Sequence, residues 1–154
     1  MKFNFLDELR DIVTGFEGTV IAIVSDATRG VQYGLQPKCK DNVIPDVQAI
    51  DEAQLEVVKA GGDQRTPFAQ TTFNFGDKVR DKVTGFKGTV TSKTEFLNGC
   101  IRYNVTPRVH ERRLMRNETF AQADLEVLQA TPEPVATPKT GGPRTVLTRD
   151  KFQR

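Results

Sequence analysis

The chain is written twice. Residues Phe3–Val58 align with Phe73–Leu128 at a constant offset of 70 with no gap, and 19 of the 56 aligned positions are identical. Val13-Thr14-Gly15-Phe16-Glu17-Gly18-Thr19-Val20 recurs as Val83-Thr84-Gly85-Phe86-Lys87-Gly88-Thr89-Val90. Ala53-Gln54-Leu55-Glu56-Val57 recurs as Ala123-Asp124-Leu125-Glu126-Val127. A length of 154 residues suits one domain, but the repeat divides it into two units of about 60 residues each. Units so small bury little core and are marginal alone. Turn and core residues are what the copies share, whereas their charges differ. That pattern favours a binding or structural protein over a catalyst.

Net charge is +2 overall but unevenly spread: residues 1–60 carry −4, residues 71–130 carry +3, and residues 131–154 carry another +3. An acidic first copy and a basic second copy suit association with neighbours of opposite sign. Cys39 and Cys100 do not align between the copies, so a disulfide framework is not expected and reducing conditions are. Cys100 reads as a small buried hydrophobe in an apolar strand. The N-terminus does not resemble a signal peptide, and no apolar run reaches the length of a membrane span.

Each copy reads as short strands joined by turns. Lys78–Asp81 alternates polar and apolar residues, Thr89–Phe96 is rich in β-branched residues, and Leu97-Asn98-Gly99 turns the chain into Cys100–Thr106, which Pro107 stops. Gly15, Gly18, Gly85 and Gly88 bracket tight connections, with positive φ expected for at least one in each copy. A short helical turn precedes each last strand, at Ile50–Gln54 and Phe120–Asp124. Val13, Val20 and Leu55, with their counterparts Val83, Val90 and Leu125, are expected in equivalent cores. The fold class is all-β: two tandem SH3-like small barrels with an extended C-terminal arm. The divisions are residues 1–60 for the first copy, a linker over 61–71, the second copy over 72–129, and a Pro/Gly-rich linker and arm over 130–154.

The string from Asp77 to Val90, with Tyr103 and the closing Leu125-Glu126-Val127, resembles small SH3-like, KOW-flavoured barrel proteins of tailed bacteriophages and prophages. The likeness covers both copies but not the tail. It implies a virion component made in the host cytoplasm: a non-enzymatic capsid decoration (cement) or head/neck joining protein. The implied partners are capsid or other virion proteins, in a symmetric assembly with many copies and no membrane. Small barrels carry many functions, so the fold alone assigns none.

No catalytic constellation is visible and no cofactor is expected. His110 is the only histidine and has no clustered partners that would make a metal site. Asp7, Asp11, Asp77 and Asp81 recur in both copies, which fits a structural turn role. Two candidate contact regions stand out. In the C-terminal arm, Arg144, Val146, Leu147, Arg149 and Phe152 would dock on another subunit, adding a strand to an exposed sheet edge. In the second copy, Arg108, His110, Arg112, Arg113 and Arg116 form a loop for an anionic partner, with Tyr103 near it. The alternative function is a KOW-type module binding nucleic acid or a ribonucleoprotein through that loop; the small net charge and the acidic first copy weigh against it.

Overall fold

The computed structural model describes residues 1–62, 70–111 and 115–132. The fold is all-β, and the described residues contain no α-helix. The first half comprises β1 (Glu8–Asp11), β2 (Glu17–Asp26), β3 (Gly30–Gln36), β4 (Gln48–Asp51), a single 3-10 turn (Glu52–Gln54) and β5 (Leu55–Lys59). The second half repeats it with β6 (Lys78–Asp81), β7 (Lys87–Phe96), β8 (Ile101–Thr106), β9 (Glu118–Ala121), a 3-10 turn (Gln122–Asp124) and β10 (Leu125–Gln129). Every strand pairing is antiparallel, in the order β5-β1-β2-β3-β4 and its copy β10-β6-β7-β8-β9. The two halves merge into one ten-stranded sheet through β2 and β7.

The merger follows from unequal strand lengths. β1 has four residues and covers β2 only over Glu17–Thr19 of its ten. The rest of that edge would present unpaired backbone groups. A register shift between Val20 and Ala22 bends the strand. Beyond it, Ala22–Asp26 pairs with Phe96–Ser92 of β7, which carries the same irregularity between Val90 and Ser92. Val24 faces Thr94, its own counterpart at the offset of 70, so a pseudo-dyad runs through that pair. The flanking bonds obey it: Ala27 N–H donates to Thr91 O at 3.0 Å and Leu97 N–H to Ile21 O at 2.9 Å. The seam is isologous, as in a two-fold dimer, but within one chain.

Each half keeps its own core. Phe3, Leu9, Val20, Tyr33, Leu35 and Leu55 are buried in the first, and their counterparts Phe73, Val79, Val90, Tyr103, Val105 and Leu125 in the second. The phenylalanine packs edge-on against the tyrosine in both, with ring centroids 5.3 Å and 5.2 Å apart. The cores are not equal. Ile23 belongs to the first, while its counterpart Lys93 pairs with Glu95 at 2.5 Å in the seam, only 16% and 12% exposed. Phe5 is buried, whereas its counterpart Phe75 is 38% exposed.

Val20, Val90, Leu55 and Leu125 are in the cores as expected, but Val13 and Val83 are not: they are 70% and 82% exposed. Both lie in the turns after β1 and β6, where strand alternation no longer directs side chains inward. Cys100 is half-buried in the turn ahead of β8 rather than inside a strand, and Cys39 is exposed; both are free thiols. The repeated glycines have two distinct roles. Gly15 and Gly85 adopt φ of 75° and 76°, a region where a side chain is strained. Gly18 and Gly88 instead lie against β3 and β8: a Cβ at Gly88 would stand 2.5 Å from Thr106 O, and one at Gly18 would stand 3.0 Å from the Gln36 carbonyl.

Candidate binding grooves of opposite charge

The repeated carboxylates hold the turns that shape the surface. Asp11 accepts from Val13 N–H at 3.0 Å and from the Thr14 hydroxyl at 2.5 Å. Asp81 accepts from Thr84 N–H at 2.7 Å and from its hydroxyl at 2.5 Å. Asp7 takes Asn4 N–H at 2.8 Å and Gly61 N–H at 2.9 Å, and Asp77 takes Asn74 N–H at 2.8 Å and Thr131 N–H at 2.6 Å. All four are buried, as a structural role requires.

The threonine hydroxyls, then the turn N–H groups, hold the Asp11 and Asp81 carboxyls below their ordinary value of 3.8. A depressed folded-state pKa means that the stabilisation is present above the unfolded value and is lost as pH falls through the folded one. Asp81→Asn, which keeps the shape but not the charge, should therefore lower the melting temperature at neutral pH. Its deficit against the parent should shrink below about pH 4. A deficit that stays constant down to pH 2 would show that the charge is irrelevant.

Two grooves are related by the pseudo-dyad. One of about 230 Å³ lies beside Glu8, Leu9, Glu17, Lys38 and Val58. The other, about 330 Å³, lies beside Lys78, Val79, Lys87, Arg108 and Leu128. Each residue of the second is the first's counterpart at the offset of 70, and the bordering Gly18-Thr19 and Gly88-Thr89 correspond too. The shape is retained and the charge is not. In the first groove Lys38 pairs with Glu8 at 3.3 Å, and Glu17 pairs with Arg10 at 2.6 Å. In the second, Arg80 pairs with Glu126 instead, and Lys78 donates to the neutral Gln129 at 2.7 Å. Among the described residues, no carboxylate lines the second groove and none pairs with Lys78, Lys87 or Arg108.

Of the loop residues expected to meet an anionic partner, Arg108 borders this groove. His110 and Arg116 are exposed on the same β8–β9 connection, and Arg112 and Arg113 lie outside the described residues. Tyr103 is not beside them on the surface. It is fully buried, accepting from Phe73 N–H at 3.5 Å and donating to Gln122 at 3.0 Å, and burial pushes its hydroxyl pKa up. It offers no face for a base to stack on. Arg144, Val146, Leu147, Arg149 and Phe152 of the arm all lie outside the described residues. Lys78, Lys87 and Leu128 are not among the sequence's candidate contact residues; for the two lysines a signal is present, since the exchanges Glu8/Lys78 and Glu17/Lys87 reverse charge inside an otherwise shared motif.

Among the described residues, no group of three or more His, Cys, Asp or Glu is placed to hold a metal ion, and no helix is long and apolar enough to cross a membrane. Comparison with known proteins returns no match to a family model, a curated protein or a solved structure.

Proposed function

We propose that the chain is a non-enzymatic structural protein of a tailed-phage particle, a capsid decoration or head/neck joining protein that binds shell subunits. In this reading each half is an SH3-like small barrel. The order β5-β1-β2-β3-β4, with a 3-10 turn before the last strand, supports that description. The observation that carries a protein-binding role is the pair of equivalent grooves with unlike charge: one scaffold, held in duplicate by a fixed seam, presents two different surfaces to its surroundings. Internal two-fold pseudosymmetry also suits a site where shell subunits meet around a local two-fold. The phage setting rests on the sequence resemblance. The arm over 144–152 would extend the contact by strand addition to a neighbour.

The test is retention on particles. Labelled chain is expected to sediment with purified virions in a fixed ratio, with single-stranded oligonucleotides failing to displace it. Deleting residues 133–154 should leave the melting transition in place while weakening retention. A chain absent from particles would overturn this reading. If it bound oligonucleotides with an affinity falling steeply with salt, the nucleic-acid reading would replace it; the three cations around the second groove are the observation that favours that alternative.

A further inference from the structure

The first groove is electrostatically closed, its cation and its carboxylates satisfied by one another or by Arg10. The second is open. Resting on the protein-binding reading above, we infer that the groove bordered by Lys78, Lys87 and Arg108 is a receptor for an acidic, partly apolar peptide segment of a protein partner.

Two features specify that ligand. The cations have no carboxylate among the described residues to neutralise them, so an anionic group entering between them gains attraction without breaking an existing ion pair. Leu128, half exposed, borders the groove, so burying an apolar side chain against it adds a contribution that phosphate alone would not collect. A nucleic-acid strand fits less well. Tyr103 is buried, and the half-buried Phe86 packs on Phe120 at 5.4 Å, so none of these three rings presents an open face for base stacking. A phosphate track crossing the pseudo-dyad would also meet Glu8 and Glu17 in the equivalent groove.

The repeat supplies its own control. Lys78→Glu with Lys87→Glu writes the first groove's Glu8 and Glu17 into the second, on a scaffold that already carries those residues at the same positions. The probe is a short fluorescent peptide of alternating Glu and Leu, titrated into the full chain. It should bind at one site, with affinity falling as salt rises. Replacing its Glu by Gln, or making the K78E/K87E variant, should weaken binding by about tenfold or more. The reciprocal E8K/E17K chain should gain a second site. Unchanged peptide binding by K78E/K87E, with its melting transition intact, overturns the assignment. Oligothymidine binding that K78E/K87E abolishes, in a chain that ignores the peptide, also overturns it and gives the groove to nucleic acid. The outcomes separate from those of the particle test. A chain absent from virions that still binds the peptide overturns the virion reading alone. A chain retained on virions whose K78E/K87E variant binds peptide as before overturns the groove assignment alone.

Discussion

Replacing Tyr33 or Tyr103 by Ala should unfold the half of the molecule that contains it. Both side chains are fully buried, each edge-on to a core phenylalanine. Truncating a buried aromatic ring costs about 3–5 kcal/mol through lost burial and the cavity left behind. A unit of about 60 residues has only about 3–9 kcal/mol in total, so the loss removes most of it. The phenylalanine variants should differ from each other. The Tyr33 hydroxyl accepts from Lys2 N–H at 2.9 Å and Phe3 N–H at 3.2 Å and donates to the Glu52 carboxylate at 2.8 Å. That donated bond, first among its causes, holds the Glu52 carboxyl below its ordinary value. Tyr103 has a longer bond from Phe73 N–H and a neutral acceptor in Gln122. Because bonds to charged groups are the stronger ones, Tyr33→Phe should cost more than Tyr103→Phe. Denaturant melts of the two variants check the order, and equal midpoints would refute it.

Leu97→Ala should weaken the half of the protein in which Leu97 does not lie. The residue follows β7, yet its side chain packs against the first core, while its N–H donates across the seam to Ile21 O. The truncation should cost about 1–3 kcal/mol, the low part of the Leu→Ala range because the side chain is only partly buried. Amide exchange should accelerate at Tyr33 and Leu35 more than at Tyr103 and Val105. Its counterpart Ala27 makes no such contact with the second core, so the coupling is one-way in side chains although the backbone seam is symmetric. Faster exchange confined to residues 70–132 would show that the halves are energetically independent.

The repeat, the turns and part of the core, Val20, Val90, Leu55 and Leu125, were legible from residue order alone. Asp11-x-x-Thr14-Gly15 and its copy Asp81-x-x-Thr84-Gly85 specify their turns locally: a carboxylate reaches the hydroxyl and N–H groups two and three residues on, and a glycine takes the positive φ. Such contacts span a few residues, so a short string determines them. The alternation over Lys78–Asp81 likewise marks a half-buried strand, in which Val79 faces inward.

Three matters needed the tertiary structure. The direction of Val13 and Val83 was one, because period-two alternation lapses where the strand ends. The seam was another. It joins the halves through backbone pairing of Ala22–Asp26 with Ser92–Phe96, and backbone bonds do not themselves show in a sequence. Which edge of a long strand stays unpaired depends on the length of its neighbour and on the bend at residues 20–22. The grooves were the third. Residues 8, 17, 38 and 58 are far apart along the chain, and only the closing of β5 against β1 and the return of the chain after β3 bring them together. The charge reversal between the copies could be read residue by residue from the sequence. That it falls on one surface, compensated in one half and, among the described residues, uncompensated in the other, is a property of the folded sheet.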